Sequence, residues 1–471
     1  MDLERPARTA QRRGVQLTPT IFRQYDIRGI AEREFDAGFA RSLGRAFATL
    51  AAEQGATTLA LGRDCRLTSD GYAAALCEGM RETGVDVLDL GVCPTPLLYF
   101  AIAHWDLGGG VQVTGSHNAA EYNGFKLCVG TRALHGDQIQ DLRRRIEAGA
   151  WRRGAGRRTP REIVPVYQEH VVRTVEPLGR PIHVVVDAGN GTGGPVAPAL
   201  YERLGARVTP LFCDMDGRFP NHHPDPTVVD NMQSLIARVR ETGAELGIAF
   251  DGDADRIGVV DAAGRMIWGD ELLVLFARDI LSRNPGAVVI SEVKCSQRLY
   301  DDIARHGGRG IMWKAGHSPL KAKMRETGAL VGGEMSGHIF FAERWYGFDD
   351  GIYAGARLLE ILGRTDRGVS ELLADLPPSE TTPEIRVDCP DEVKFRVADR
   401  VRDRLRAEGR DLVDIDGVRV RFSHGWGLLR ASNTQPELTM RFEAQTREQL
   451  AAYRATIEAA VAAARRELGC E

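Results

Sequence analysis

Two short stretches combine residue types and spacing that could carry chemistry. The first is the stretch 114–118 (Thr-Gly-Ser-His-Asn), which places a hydroxyl group directly after an apolar run. A serine on such a tight loop can present its oxygen to a cleft, so Ser116 is our candidate for the reacting oxygen. Most serines in glycine-containing loops only close turns through hydrogen bonds to the backbone. This loop alone therefore leaves both interpretations open.

Three alternating carboxylates form the second stretch. Asp251, Asp253 and Asp255 follow a mostly apolar run. Alternate residues of an extended loop face one side, where three carboxylates repel one another unless a hard divalent cation binds them. An EF-hand is excluded, because Arg256 and Ala262 stand where that loop needs glycine and glutamate. We expect a metal site here, with a solvated acidic turn as the alternative.

Two later loops carry side chains suited to a sugar phosphate. The stretch 334–338 offers Glu334, Ser336 and His338, which can form hydrogen bonds with sugar hydroxyls. The stretch 430–434 (Arg-Ala-Ser-Asn-Thr) gathers a guanidinium, two hydroxyls and an amide, all of which donate to phosphate oxygens. Each loop also has a structural interpretation: a lone structural histidine in the first, and an Asx-type turn before a proline in the second.

The stretch 189–194 (Gly-Asn-Gly-Thr-Gly-Gly) matches the dinucleotide-binding fingerprint, with Asp214 about twenty residues further on. However, Asp187 would place a carboxylate near the pyrophosphate, and Pro195 would disturb the start of the helix that should bind it. We therefore expect a packing loop or a phosphate-facing turn here, and no nucleotide cofactor.

Composition limits the partners. Lys+Arg 61 against Asp+Glu 65 gives a net charge of -4, which argues against a nucleic-acid partner. The eight cysteines are scattered without a CxxC pair, which is typical of reduced thiols in a cytoplasmic protein. No apolar run reaches the length of a membrane span, and the arginine-rich segment 1–17 is expected to be a disordered tail and not a signal peptide. We expect a monomer or a homodimer.

Alternating strand and helix patterns must position these loops. The same pattern occurs three times: a strand, a polar loop and a helix, followed by a later strand that ends in a reactive loop. This repetition predicts three similar α/β domains with mixed sheets. Ligand-facing loops of such sheets lie beyond the carboxyl ends of the strands, so the three copies could line one central cleft. The C-terminal pattern has more strands than helices and predicts an α+β domain with an antiparallel sheet.

The chain of 471 residues is too long for a single core. The predicted domains are 1–162 with the serine loop, 163–264 with the metal loop, 265–377 with the sugar-recognition loop and 378–471 with the phosphate-binding loop. Two prolines, at 377 and 378, predict a stiff link to the last of them.

Together the four stretches resemble the α-D-phosphohexomutase family, and within it the bacterial phosphomannomutase/phosphoglucomutase type. The likeness runs from about Phe22 to the C-terminal helix, and it depends on all four motifs occurring in this order. It implies four domains around a central cleft. It also implies a phosphohexomutase that interconverts hexose 1-phosphate and 6-phosphate, of mannose and/or glucose, through a phosphoserine and a bisphosphorylated sugar.

The resemblance further implies roles for individual residues. Ser116 would carry the phosphoryl group and would bind Mg²⁺ together with Asp251, Asp253 and Asp255. A hexose 1,6-bisphosphate would be the intermediate and the activator. The implied catalytic residues are Ser116, Lys126, Arg28 and His117. The implied substrate-binding residues are Tyr25, Arg256, Lys294, His317, Glu334, Ser336, His338, Arg430, Ser432, Asn433 and Thr434.

One departure from the family pattern concerns the serine loop. Ala119 and Ala120 stand where relatives of this type usually have two prolines, which predicts a less rigid loop. Met335 resembles the mannose/glucose type, and a phosphoglucosamine mutase stays an alternative. A Mg²⁺-dependent sugar phosphatase with Asp251 as the nucleophile and a non-catalytic sugar-phosphate sensor are two further hypotheses.

Overall fold

The computed structural model describes residues 17–432 and 436–470, and their strands form four sheets. The predicted tail 1–17 lies outside these ranges except for Leu17, which packs against the core of the first unit. Three sheets are mixed and the fourth is antiparallel, so the predicted fold class of three α/β units and a C-terminal α+β unit is confirmed. Within the described ranges, no helix combines the length and the apolar composition that a membrane span requires.

The first unit contains the serine loop. Its strands are β1 (Ile27–Ile30), β2 (Thr58–Arg63), β3 (Asp86–Val92), β4 (Gly109–Val113), β5 (Tyr122–Val129), β6 (Arg132–Ala133) and β7 (Arg158–Pro160). Its helices are α1 (Ala37–Glu53), α2 (Ser69–Arg81), α3 (Thr95–His104) and α4 (Asp137–Ala148). The strand order is β1-β5-β4-β2-β3-β7, with β6 beside β5. Helices cover both faces, so β4 is buried along its whole length.

The second unit contains the three aspartates. Its helices are α5 (Val164–Thr174), α6 (Ala197–Leu204) and α7 (Gln233–Thr242). Its strands are β8 (His183–Asp187), β9 (Arg207–Leu211), β10 (Leu246–Phe250), β11 (Ile257–Asp261) and β12 (Met266–Ile267). The strand order is β12-β11-β10-β8-β9.

The third unit contains the sugar-recognition loop. Its strands are β13 (Val288–Glu292), β14 (Arg309–Trp313), β15 (Val331–Gly333) and β16 (Ile339–Phe341), in the order β14-β13-β15-β16. Its helices are α8 (Gly269–Arg283), α9 (Gln297–Arg305), α10 (His317–Thr327), α11 (Gly351–Gly363) and α12 (Val369–Leu372).

The three α/β units share one strand order. The equivalent runs of strands are β5-β4-β2-β3, β11-β10-β8-β9 and β16-β15-β13-β14. In each run the first two strands form an antiparallel hairpin, and the remaining strands are parallel to the second strand of that hairpin. The turn of each hairpin carries one of the reactive loops. The equivalence explains how three separate sequence motifs reach corresponding positions, each beyond the carboxyl end of a central parallel strand.

The fourth unit is antiparallel and has its own core. Its strands are β17 (Glu380–Thr381), β18 (Ile385–Asp388), β19 (Asp411–Val413), β20 (Val418–Phe422), β21 (Gly425–Ala431) and β22 (Glu437–Ala444). Its helices are α13 (Lys394–Ala407) and α14 (Arg447–Leu468). One continuous apolar cluster runs through the first three units, whereas the fourth unit has a separate cluster and meets the third through a small one around Trp426.

Candidate active site

Ser116 lies at the turn between β4 and β5 and is 2% exposed. Its Oγ donates to Oδ2 of Asp251 at 3.0 Å and lies 3.2 Å from Nδ1 of His117. The backbone φ of Ser116 is 49°, in the left-handed region that side chains other than glycine rarely adopt. Such strain costs about 1–3 kcal/mol and persists only where surrounding contacts fix it.

The three aspartates lie on the turn between β10 and β11 and are fully buried. Lys126, from β5 of the first unit, donates to Asp253 at 2.7 Å and also to Asp255. Thr95, at the start of α3, donates its hydroxyl to Asp253 at 2.5 Å and its backbone N–H to the carbonyl oxygen of Asp253 at 2.9 Å. The serine loop and the metal loop therefore form a single centre across two units.

The charges of this centre are unbalanced. Burial raises the pKa of Asp251 well above its ordinary value, and the neighbouring charges of Asp253 and Asp255 raise it further. Burial, followed by the charge of Asp253, also raises the pKa of Asp255. Burial opposes the ionisation of Asp253 as well, but the ammonium of Lys126 outweighs it and lowers the pKa of that carboxyl. One lysine thus faces three carboxyl groups.

The donor atoms fit a divalent cation. One oxygen from each of Asp251, Asp253 and Asp255 lies within 4.8 Å of the other two. Oδ1 of Asp253 and Oδ1 of Asp255 are buried without a hydrogen-bond partner. Buried carboxylate oxygens without donors are costly, and a hard cation with oxygen ligands satisfies them. These residues can therefore hold a metal ion.

A second potential metal group, Asp255, His338 and Asp349, lies beside the first. Nε of Arg256 donates to Nε2 of His338 at 2.9 Å, so the proton of a neutral His338 ring is on Nδ1. That nitrogen lies 3.1 Å from Asp349 and 3.6 Å from Asp255. Because a protonated nitrogen cannot bind a metal, we interpret His338 as a neighbour that faces Asp349 and Asp255 and not as a metal ligand.

The sugar-recognition loop lies at the turn between β15 and β16. Oε1 of Glu334 accepts from the backbone N–H of Gly316 at 2.5 Å, and Oγ of Ser336 lies 3.5 Å from Oε2 of Glu334. The ring of His317, at the start of α10, stacks on that of His338 with centroids 5.7 Å apart. Burial, followed by the charge of Lys321, lowers the pKa of His317 well below its ordinary value. The rings of His317 and His338 and the carboxylate of Glu334 therefore meet at this loop.

Arg28 and Tyr25 extend from the first unit toward these loops. Arg28 donates to Oδ1 of Asn118 at 2.6 Å, which attaches β1 to the serine loop. The hydroxyl of Tyr25 donates to the carbonyl oxygen of Ala315 at 2.9 Å, and its ring meets His317 edge to face. The first and third units are thus connected at the edge of the site.

The predicted phosphate-binding cations lie where the third and fourth units meet. Lys294 donates to Glu384 at 3.1 Å, and Arg430 pairs with Asp416 at 3.1 Å. Asp416 also accepts from the backbone N–H of Ala315 at 3.0 Å. Ser432 follows β21 directly and is 4% exposed, whereas Asn433 and Thr434 lie outside the described residues.

The glycine-rich loop 189–194 packs against the metal loop. Thr192 donates its backbone N–H at 3.0 Å and its hydroxyl at 3.2 Å to the carbonyl oxygen of Gly252. A Cβ at Gly191 would lie 2.6 Å from the same oxygen. This close approach gives the fingerprint glycines a packing role, as one of the two sequence interpretations expected.

Several residues of the site were not found from the sequence. Thr95 and Arg66 each follow a strand that runs parallel to β4 in the same sheet, so their position at the same edge was an available signal. Asp349 and Lys321, which pair at 2.8 Å, had no local signal because neither belongs to a recognisable loop pattern.

Comparisons with known proteins agree with this architecture. Four family models match consecutive segments of the chain. They are described as phosphoglucomutase/phosphomannomutase alpha/beta/alpha domain I at 19–153, domain II at 165–264, domain III at 268–379 and the C-terminal domain at 384–460.

Individual relatives are similar over nearly the whole chain. A phosphomannomutase/phosphoglucomutase of Pseudomonas putida is 48% identical over 434 residues, which cover 92% of this chain and 94% of the relative. A phosphoglucomutase of Neisseria gonorrhoeae is 48% identical and is aligned over 91% of this chain and 94% of its own. A solved structure of a phosphoglucomutase/phosphomannomutase family protein from Burkholderia thailandensis has a TM-score of 0.90 at 45% identity, covering 96% of this chain and 98% of that one.

Proposed function

Because this chain belongs to the phosphoglucomutase/phosphomannomutase family and is a phosphohexomutase, we propose that it interconverts the 1-phosphate and 6-phosphate of mannose, glucose or both. The observation that carries this proposal is the 3.0 Å contact between Oγ of Ser116 and Asp251 inside a buried acidic centre. It supports Ser116 as the residue that carries the phosphoryl group.

The proposed reaction consists of two transfers at Ser116. In the first, the P–O bond to Ser116 breaks while a bond forms from phosphorus to a hydroxyl oxygen of the sugar phosphate, whose proton passes to a base. The resulting hexose 1,6-bisphosphate turns around. In the second transfer, the P–O bond at its other end breaks while a bond forms from phosphorus to Oγ of Ser116; the Ser116 hydroxyl loses its proton and the freed sugar oxygen takes one up. The same bisphosphate would activate a chain whose serine is free.

Three residues would assist these transfers. Lys126 is charged because the carboxylates of Asp253 and Asp255 outweigh burial and raise its pKa, so it would stabilise negative charge on the phosphoryl oxygens. Arg28, which is held at the serine loop by Asn118, would do the same. Burial, followed by the charge of Arg256, lowers the pKa of His117, so its neutral ring could accept the hydroxyl proton.

Substrate binding would use both ends of the site. The sugar ring would lie against Glu334, Ser336, His338 and His317, whose polar atoms face one another. The phosphate that does not react would be bound by Tyr25, Arg256, Lys294, Arg430, Ser432, Asn433 and Thr434. The separate core of the fourth unit supports a hinged movement that lets the bisphosphate turn without leaving.

Mg²⁺ is the proposed metal. Asp251, Asp253 and Asp255 together with Ser116 would hold it, and the ion would offset the charge of the phosphoryl group as the anionic sugar phosphate approaches. The chain itself contributes the acidic oxygens and places Lys126 beside two of them.

The observations favour a mutase over a phosphatase that uses Asp251 as its nucleophile. Oδ2 of Asp251 accepts from Ser116, and Oδ1 accepts from the backbone N–H of Arg256 at 3.2 Å. No comparable observation supports a non-catalytic sensor or a glucosamine substrate.

We propose domain boundaries after residues 162, 264 and 377. In support, no strand of the described residues crosses any of these positions, and three of the four sheets are each formed within one range. The exception is the second sheet, whose edge strand β12 (Met266–Ile267) pairs with β11 although it lies just beyond residue 264. We also propose a cytoplasmic monomer or homodimer. All eight cysteines lie in the described part of the chain and are unpaired, as expected in a reducing compartment.

The decisive test is Ser116→Ala, assayed for conversion of mannose 1-phosphate and glucose 1-phosphate to the 6-phosphates in a coupled assay. We expect no conversion by this variant. After incubation with glucose 1,6-bisphosphate, its intact mass should also lack the one phosphoryl group that the wild-type protein gains. Ser42→Ala is the matched control, since Ser42 is also buried but only bonds to the carbonyl oxygen of Gly38 within α1. Turnover by Ser116→Ala at the rate of the control would contradict the proposal.

A further inference from the structure

Arg66 lies beneath the serine loop. It forms no hydrogen bond to the side chain of any residue to which we assign a role in the reaction. Its own side chain has no exposed surface. Building on the proposed function of Ser116, we propose that Arg66 is a positioning residue that fixes the backbone of the serine loop, so that the reacting oxygen stays aligned with Asp251.

All five N–H groups of the Arg66 guanidinium donate within the protein. Nε donates to Oδ2 of Asp64 at 3.2 Å, and the two terminal nitrogens donate to backbone carbonyl oxygens of the serine loop. Those four acceptors belong to Ser116 (2.8 Å), Asn118 (2.5 Å), Ala119 (2.5 Å) and Tyr122 (3.0 Å). One planar group therefore fixes the direction of four peptide bonds in the serine loop and the first residue of β5.

Asp64 fixes Arg66 in turn. Its carboxylate accepts from the backbone N–H of Arg66 at 3.0 Å and from the hydroxyl of Ser69 at 2.5 Å. It also accepts from the backbone N–H of Gly115, at 3.1 Å, which is the residue before the reacting serine. The pair Asp64 and Arg66 thus bonds to both the N–H groups and the carbonyls of the same loop, and it belongs to the rigid connection between β2 and α2.

The glycines of the two motifs are explained by this arrangement. A Cβ at Gly115 would lie 2.5 Å from Nε of Arg66, so only glycine lets the guanidinium pass beneath the loop. A Cβ at Gly252 would lie 2.6 Å from the carbonyl oxygen of Ser116, the oxygen that Arg66 binds from its other side. The carbonyl of Ser116 is therefore held between Arg66 and the metal loop.

This support accounts for two features of the loop. Ser116 keeps a left-handed φ of 49°, which needs external contacts to persist. Ala119 stands where relatives usually have proline, yet its carbonyl is fixed by Arg66. A lysine at position 66 would keep the charge but has three donors in a different geometry, so it could not bind the same set of acceptors.

The test compares Arg66→Lys with wild type and with Arg357→Lys. Arg357 lies on α11, is 1% exposed and pairs with Asp279, Glu343 and Glu360, so its replacement measures the cost of changing a buried arginine elsewhere. We expect Arg66→Lys to lower kcat about 100-fold with KM changed by less than about twofold, because a misplaced reacting group costs about that factor. Arg357→Lys should leave kcat of the folded protein within about twofold.

A second readout does not depend on turnover. Amide hydrogen exchange of the peptide covering 110–125 should be faster in Arg66→Lys and unchanged in Arg357→Lys, at matched fractions of folded protein. Asp64→Asn should also make exchange faster and kcat lower, by smaller factors than Arg66→Lys. If Arg66→Lys does not fold, Asp64→Asn takes its place in the comparison.

The outcomes separate this inference from the proposed function. If wild type accepts a phosphoryl group and Arg66→Lys has kcat within about threefold of it, or unchanged exchange at 110–125, the positioning role is wrong. If wild type itself accepts no phosphoryl group on Ser116, the proposed function fails, while the exchange measurement still decides whether Arg66 holds the loop.

Discussion

Two mostly buried groups of charged residues in this protein differ in the balance between their positive and negative side chains. The acidic centre consists of Asp251, Asp253 and Asp255 with Lys126 as its one directly bonded cation. The α11 network joins four arginines to four carboxylates. Its members are Arg283, Arg344, Arg357, Arg364, Glu176, Asp279, Glu343 and Glu360.

The α11 network satisfies its carboxylates from within. Both oxygens of Glu360 are engaged, by Arg344 and Arg357 at 2.9 Å and by Arg364 at 2.7 Å. Burial opposes the ionisation of Glu360, but the hydrogen bond from Arg344 and the charges of its arginines outweigh burial and lower its pKa. In the acidic centre, two carboxylate oxygens have no donor. A network whose carboxylates all have cationic partners needs no further ion, whereas buried carboxylate oxygens without donors indicate a site that a cation completes.

The largest expected effect is on the activity of the acidic centre. Asp251→Asn should lower kcat/KM about 10³-fold, because it removes one proposed metal ligand and the acceptor of the Ser116 hydroxyl. Its free energy of unfolding without added metal should stay the same or rise, since repulsion with Asp253 and Asp255 is relieved. Coupled assays and urea denaturation measure the two quantities. A large loss of stability with retained activity would make this centre a structural one.

The α11 network should respond in the opposite way. Glu360→Gln should lower the free energy of unfolding by about 3–5 kcal/mol, because the buried Arg357 and the half-buried Arg344 lose the carboxylate that they share. The kcat of the folded protein should not change. Glu78→Gln is the control: this exposed residue pairs with Arg41 at 3.6 Å, so its loss should cost less than about 1 kcal/mol. Equal effects of the two substitutions in urea denaturation would show that the network contributes little.

Mg²⁺ should stabilise only through the acidic centre. At a Mg²⁺ concentration about 100 times Kd, the free energy of unfolding should rise by about 2.7 kcal/mol over that in EDTA. Glu360→Gln should keep this increment and Asp253→Asn should lose it. Thermal unfolding with and without the ion, at constant ionic strength, makes the comparison; an increment that survives in Asp253→Asn would place the ion elsewhere.

The smallest effect concerns Asp350, which begins α11 but has no cation. Burial raises its pKa from 3.8 to about 7, although the backbone N–H of Tyr353 and the hydroxyl of Tyr167 donate to it. A carboxyl with a raised folded-state pKa contributes stability below its unfolded pKa, and that stability is lost as pH rises through the folded pKa. Between about pH 6 and pH 8 the loss is about 1.4 kcal/mol.

Asp350→Asn should abolish that loss, since asparagine can still cap the helix and does not ionise. Urea denaturation at the two pH values measures the change. Asp36→Asn is the control, because Asp36 caps α1 in the same way, accepting from Phe39 at 2.8 Å, but is exposed. A pH dependence of stability that is the same in wild type and Asp350→Asn would contradict the assigned ionisation.

The sequence alone predicted the reactive loops and the fold class, for identifiable reasons. Ser116 and the three aspartates were found because each follows an apolar run, and the structure places both loops at equivalent hairpin turns. The antiparallel fourth sheet was predicted because no long crossover separates its middle strands, and this is confirmed. The family and the enzyme class named from the four motifs are confirmed by the matches along the chain.

Local pattern could not supply the supporting residues. Arg66 and Thr95 were not identified as site residues, because most of their partners are distant along the chain. The carbonyls that Arg66 binds are 50 to 56 residues away, and Asp253 is 158 residues from Thr95. The proton position on His338 depends on Arg256, which belongs to another unit. Asn433 and Thr434 lie outside the described residues, and their predicted role in phosphate binding stays a prediction.

What the order of amino acids determined is the chemistry available: a hydroxyl, three acids, a few cations and the strand patterns that end in them. Tertiary structure alone decided that Ser116 meets Asp251, that Lys126 donates to two of the three acids and that Arg66 binds the serine loop. The reason is physical. The three α/β units pack around a shared apolar core, and this packing sets the distances between residues of separate sheets. It also buries the ionisable groups, which shifts their pKa values. No local stretch of sequence encodes this packing.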